Sequence, residues 1–182
     1  MAKSVRIETD RLVLRTVTMD DVEDVALAWK LDEGAIPFEE AKKIVEWMLE
    51  NHERNTPEKL IHLCLAVIRK ENGEFIGWCG LDHRESSQPN AVLFYLLKKE
   101  HWGKGLATEA AKAVLEYAFH GLGLAQVDGG AAAENAAENA ASKRVMEKAG
   151  MRYVGRAEDG GHSFMLTKQE YIKKFGCEKN AK

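Results

Sequence analysis

The chain has 182 residues, with 26 Lys and Arg against 29 Asp and Glu, a net charge of -3 and three cysteines. That length suits one domain over residues 1–182 burying about 70% of its unfolded surface, the slight acidity gives no general attraction for nucleic acid, and no apolar run approaches the roughly 20 residues that cross a bilayer. Cys64, Cys79 and Cys177 lack Cys-x-x-Cys spacing and the histidines form no ligand pair, so a reducing, cytoplasmic setting without a structural metal, membrane or signal peptide is expected.

Val5 to Val17 alternates apolar and polar residues and predicts a first strand with Ile7, Leu12, Leu14 and Val17 inward. Thr18 is placed to cap a helix with Asp20 and Asp21 in its first turn and Val22, Val25, Ala26 and Trp29 as its buried stripe. Gly34 and Pro37 mark residues 31–38 as a loop, in which Ile36 and Phe38 either anchor the chain or line a substrate mouth. A helix from Glu39 to His52 follows, with Ala41, Ile44, Val45 and Met48 inward. Leu60–Ile68 and Phe75–Leu81 are β-rich runs joined through Asn72-Gly73, a hairpin signal. Residues 82–90 are polar and predict an exposed loop, where Asp82 and His83 are either an acid/base pair or solvated side chains. Ala91 to Leu97 is almost wholly apolar, the pattern of a buried strand.

The next stretch, Lys98 to Ala110, ends that strand and opens an amphipathic helix carrying Ala107, Ala110, Ala111, Val114, Ala118 and Phe119 at helical spacing. Gly103 and Gly105 remove two Cβ atoms where a helix exposes its first unpaired N–H groups, so a pyrophosphate can approach the backbone. Lys104 and the Thr108 hydroxyl are placed to add contacts. A P-loop needs Ser or Thr after the lysine, and Gly105 stands there; a dinucleotide fingerprint needs Gly or Ala where Thr108 stands. The remaining pattern, Trp102-Gly103-Lys104-Gly105-Leu106-Ala107, resembles the acetyl-CoA-binding motif of the GCN5-related N-acetyltransferases (GNAT), with Trp102 in place of the usual Gln or Arg. Continued through Thr108-Glu109-Ala110 it resembles the ribosomal-protein-alanine N-acetyltransferase branch, whose opening strand residues 8–15 also resemble.

Beyond that helix, His120-Gly121-Leu122-Gly123 is a stop signal and Leu124 to Ala132 predicts a strand, weakened by Gly129 and Gly130. Residues 131–141 are alanine-rich with a near tandem repeat, and helix continues through Ser142 to Lys148 before Gly150 stops it. Tyr153–Arg156 and Ser163–Leu166 predict a closing hairpin, and residues 176–182 a frayed tail. Asn139-x-x-Ser142-x-x-Val145-x-x-Lys148-x-Gly150-Met151 resembles the family's second conserved segment, with Asn139 and Ser142 sharing one face of a helix. Counting forward from Val127 instead lands on Asn135, as if four residues, about one helical turn, had been inserted. Asn139 is the assignment preferred.

The resemblance implies an α/β (α+β) acyl-CoA N-acyltransferase fold: a mixed, mostly antiparallel sheet of about seven strands, about four helices, and two parallel central strands splayed apart. It further implies that acetyl-CoA is the cosubstrate, with Tyr95, Leu96 and Leu97 meeting its pantetheine arm, Trp102, Gly103, Lys104, Gly105, Leu106, Ala107 and Thr108 its phosphates, and Asn139 and Ser142 completing the site. The Tyr95 backbone N–H is the expected oxyanion donor and Ser142 the candidate general acid. Where many relatives carry a carboxylate on the preceding strand this chain has Ala91 and Val92, so the base stays open among Glu39, Glu40, Asp82, His83 and ordered water. The implied acceptor is a protein N-terminal amine, with a small-molecule amine or a non-catalytic CoA-binding module as alternatives. A monomer or homodimer without nucleic-acid partners is expected.

Overall fold

The computed structural model describes residues 4–29, 34–56, 58–83, 90–131, 136–156 and 161–176, leaving aside the side chains of 131 and 136–139. Eight strands form one sheet in the order β1-β2-β3-β4-β5-β6-β8-β7. These are β1 Arg6–Glu8, β2 Leu12–Thr16, β3 His62–Arg69, β4 Phe75–His83, β5 Asn90–Leu97, β6 Gln126–Ala131, β7 Arg152–Arg156 and β8 His162–Thr167. Among the described residues five α-helices accompany them: α1 Val22–Ala28, α2 Phe38–Glu53, α3 Leu106–Glu116, α4 Ala136–Lys148 and α5 Lys168–Phe175. All neighbouring strands are antiparallel except β5 and β6.

Alternation along the strands feeds two apolar layers. Leu63, Leu65 and Val67 of β3 face a cluster with Val114 and Phe119 of the α3 segment, Met146 of α4 and Tyr171 of α5. Cys64 and Ala66, one residue out of phase, face a second cluster with Val22 and Val25 of α1 and Ala41, Val45 and Met48 of α2. Ile36 is buried in this second cluster, so it anchors its loop, whereas Phe38 is 51% exposed. Both described cysteines, Cys64 and Cys79, are buried and burial drives their thiols far above the ordinary range, so neither is a ready nucleophile.

Several expectations are corrected in detail. The run from Val5 to Val17 is two strands, because Thr9 N–H bonds the Leu12 carbonyl at 2.9 Å and turns the chain back. Thr18 holds the capping position expected of it, but on a short 3-10 turn, Met19–Asp21, that leads into α1; its N–H donates to Asp21 Oδ2 at 2.8 Å. Asp82 and His83 belong to β4 rather than to the following loop, whose residues 84–89 lie outside the described part, as do residues 177–182 of the expected tail. The helix α5 had no counterpart in the expectation. It starts from a reciprocal cap, Glu170 N–H to Thr167 Oγ1 at 3.2 Å and Thr167 N–H to Glu170 Oε2 at 2.9 Å, and packs Tyr171 on Phe119 at 5.1 Å between ring centroids.

Gly129, which weakened the prediction of β6, is required there: a Cβ would stand 2.9 Å from Met146 Sδ, so its absence lets α4 lie close on the strand. On this layout Leu65, fully buried on the interior strand β3, has no room to relax. Leu65→Ala is expected to lower unfolding free energy by about 3 kcal/mol in urea melts, the range of cavity-creating substitutions.

Candidate active site

The central break in the sheet positions the site. Parallel pairing of β5 with β6 runs only from Asn90 with Gln126 to Leu93 with Gly129. On its other side β5 stays paired with β4 as far as Leu97 with Gly77. Residues 94–97 therefore present an open edge toward β6. Amide direction alternates along a strand, and the Lys98 N–H turns back to the Ile76 carbonyl of β4 at 2.8 Å. The amides of Tyr95 and Leu97 consequently turn the other way, into the gap.

A cavity of about 430 Å³ occupies the gap's α3 and α4 side. Its walls are Tyr95, Leu96 and Leu97 on β5, His101 to Gly103 and Gly105 to Thr108 at the start of α3, and Ala141, Ser142, Arg144, Val145 and Lys148 on α4. Of the expected residues, Lys104 is not in this wall; its carbonyl instead accepts from Arg11 Nη1 at 3.0 Å. Asn139 belongs to α4 but its side chain, like the whole of Asn135, lies outside the described part. Arg144 and Lys148 were not anticipated as site residues. They lie one turn apart on the helical face that Ala141 and Val145 share, a spacing that could have signalled them.

The loop's shape follows from its glycines. Gly103 and Gly105 have φ of 72° and 77°, backbone that side chains resist, and Gly105 is the residue immediately before α3. Trp102, in the position where Gln or Arg was expected, donates its indole N–H to the Leu97 carbonyl at 2.7 Å. The substitution thus exchanges a polar side chain for one that ties the loop to the end of β5. Next to it the buried His101 ring bonds Glu74 Oε1 at 3.0 Å, and with Glu100 these form a possible three-ligand cluster, already accounted for as an anchor of the turn.

A brace from the β1–β2 turn holds the loop from behind. Glu109, in the first turn of α3, accepts from the Thr9 hydroxyl at 2.6 Å, the Arg11 N–H at 2.9 Å and Arg11 Nε at 2.7 Å. Arg11 thereby links the carboxylate to the Lys104 carbonyl, and its Nη2 lies 3.6 Å from where a Cβ on Gly105 would stand. Burial alone would raise the Glu109 pKa, but the Thr9 and Arg11 donors outweigh it and hold the carboxyl below its ordinary value. Tyr95 makes a second tie: its phenol donates to the Ser142 carbonyl at 3.3 Å, and burial pushes its pKa up to about 12, so it stays protonated at neutral pH.

The candidate bases sit apart from the cavity. Glu39 and Glu40 are exposed in the first turn of α2, and Asp82 Oδ1 lies 3.4 Å from His62 Nδ1 and accepts the His83 N–H at 3.0 Å.

A gapped parallel pair roofed by a glycine loop and an opposing helix defines an acyl-transfer architecture. The profile of the acetyltransferase (GNAT) domain matches residues 11–152. The Bacillus subtilis protein YkkB is 32% identical over 84% of this chain and 88% of its own length. Among solved structures, the ribosomal-protein-S5-alanine acetyltransferase of Vibrio fischeri superposes with a TM-score of 0.70 at 16% identity, over 90% of this chain and 97% of its own. A variant of the spermidine N-acetyltransferase of Vibrio cholerae does so at 0.69 and 18%, over 91% and 99%. The chain belongs to the GNAT family and is an acetyl-CoA-dependent N-acetyltransferase.

Arg11→Ala and Glu109→Gln are expected to weaken acetyl-CoA binding about tenfold, ~1.4 kcal/mol, in titration calorimetry, by loosening the loop without touching the cavity. Because the folded pKa of Glu109 is depressed, its contribution to stability is complete above the unfolded value near 4.5 and is lost as pH falls through the folded one. The stability gap between wild type and Glu109→Gln should therefore close in acid, as urea melts from pH 7 down to pH 3 would record.

Proposed function

We propose that the chain acetylates a primary amine by direct attack within a ternary complex, and that the amine is a protein N-terminus. The observation that carries the transfer chemistry is the open edge of β5 beyond Leu93, whose Tyr95 and Leu97 amides face a cavity of about 430 Å³, within the usual size of small-molecule sites. Acetyl-CoA supplies an activated acyl carbon and a thiol leaving group. The loop amides from Gly103 to Thr108 hold its phosphates at the start of α3, with Arg144 and Lys148 across the cavity as counter-charges. The arm lies along the edge of β5, satisfying backbone groups that the splay leaves without strand partners. The Tyr95 N–H is fixed before reaction and holds the thioester oxygen as charge develops, a term of about 3 kcal/mol. Ser142, facing the same cavity, passes a proton to the sulfur, through water if need be, since a hydroxyl is a weak acid.

The N-terminal acceptor rests on the likeness of residues 8–15 and 102–110 to the ribosomal-protein branch. A small-molecule amine is the second reading, favoured by an equally good superposition on the spermidine enzyme. A single domain acting as a cytoplasmic monomer or homodimer is part of the proposal. Release of CoA thiol with a panel of Ala- and Ser-initiated peptides, spermidine and aminoglycosides separates the readings: peptide-dependent release is expected, and release with spermidine alone would transfer the assignment to the small molecule. Ser142→Ala should lower kcat about tenfold and leave the acetyl-CoA Kd within about twofold of wild type; unchanged turnover would remove Ser142 from the mechanism.

A further inference from the structure

Residues paired across a sheet share a face, so the pairings His62 with Asp82, Asp82 with Val92 and Val92 with Asp128 run one row over β3, β4, β5 and β6. The face is the one turned toward α2: the His62 ring meets Trp47 of that helix at 4.8 Å and stacks on Phe94 at 5.4 Å. The cavity of the candidate active site opens on the other face, between Tyr95 and α4. Val92, where a base was sought along the sequence, thus has a carboxylate at its own level on each flanking strand. The two differ in position. Asp82 lies on the side where pairing is unbroken, is 53% exposed at its side chain and bonds His62. Asp128 is buried and belongs to the last α2-facing pair before β5 and β6 part. Gln126 Nε2 fixes its Oδ1 at 2.7 Å, and the next residue on its face is Gly130, exposed and without a side chain, so the carboxylate borders the opening of the splay.

Resting on the acetyl-transfer reading above, we infer that Asp128 is the proton acceptor for the incoming amine, which enters from the α2 face between Phe94 and Gly130. An ammonium ion gives one proton to the Asp128 carboxylate; the freed nitrogen pair bonds the acetyl carbon while the bond from that carbon to sulfur breaks. A second nitrogen proton reaches the departing sulfur by way of the Ser142 hydroxyl, which gives one proton and regains one, the third stays on the amide, and Asp128 returns its proton to solvent. The balance is closed, with one proton released for each amide made. Nearest on this side among described residues are Asp82, with His62 and His52 beyond it, and Arg152, which reaches Met165 beside Asp128 and is paired with Glu170; farther along the same face lie Cys64, Arg15, bonded to Asp21, and Lys98, near Asp24. Asp82 lies roughly 10 Å from Asp128 between backbones, two strand spacings away, and serves the approach of the cation rather than proton transfer.

The test compares wild type with Asp128→Asn, Asp128→Glu and Asp82→Asn, using CoA release with ethylamine, glycinamide and trifluoroethylamine, whose ammonium acidities increase in that order, alongside the peptide panel. Asp128→Asn is expected to lower kcat/KM about 100-fold for ethylamine at pH 7, less for trifluoroethylamine, which is already neutral, and to recover as pH rises. Acetyl-CoA binding by calorimetry should be unchanged, Asp128→Glu should keep measurable turnover, and Asp82→Asn should change KM more than kcat. An equal loss for all amines at every pH, or an unchanged profile, would overturn the assignment while leaving the transferase reading intact. A wild-type protein that binds acetyl-CoA yet releases no CoA with any amine would overturn the reading beneath it.

Discussion

Backbone amides buried in a sheet must be paired, and the protein departs from that rule where its two parallel strands separate. Beyond Leu93 and Gly129 the two central strands part, while each stays bonded on its outer side, β5 to β4 and β6 to β8. The break cannot close by local adjustment because both strands are held from outside by antiparallel ladders. A ligand with alternating donors and acceptors restores what the sheet forgoes. The site is therefore a defect maintained by the surrounding structure, and the rest of the fold can be understood as the means of holding it open.

Three ties do this from different directions. Trp102 fastens the glycine loop to the end of β5, Arg11 and Glu109 fasten it to the amino-terminal hairpin, and the Tyr95 phenol fastens β5 to α4. The Arg11 and Tyr95 ties join elements distant in sequence, the Trp102 tie spans five residues, and none uses the amides that face the gap. On the proposed reading anchoring and binding are thus separated: the groups that shape the cradle are distinct from those assigned to a phosphate or a thioester. Gly129 plays the converse part, since its missing side chain brings α4 near enough for Ser142, Arg144 and Lys148 to face the loop.

Local signals made much of this legible. Asn72-Gly73 marked the β3–β4 hairpin, the two glycines marked the loop, and the spacing of Ala41, Val45 and Met48 marked α2. Where the sequence misled, the cause was missing punctuation: the turn at Thr9 to Leu12 contains neither Gly nor Pro, so one alternating run concealed two strands. The helix α5 is short, and its cap at Thr167 follows a strand without a break. Asp128 was invisible for a deeper reason. Its meaning comes from standing beside Val92 across a strand boundary, and register between strands 36 residues apart is not written in either one. Likewise Glu109 reads as an ordinary helix residue until Arg11, 98 positions earlier, is seen to reach it.

That last separation bears on how the molecule assembles. During synthesis the hairpin holding Arg11 emerges long before α3 exists, and closing a chain loop of that length costs conformational entropy that only later packing offsets. The cradle should then take its shape among the final events of folding, after the strands between have found their order. A newly made chain would reach native compactness before it could discriminate its cosubstrate.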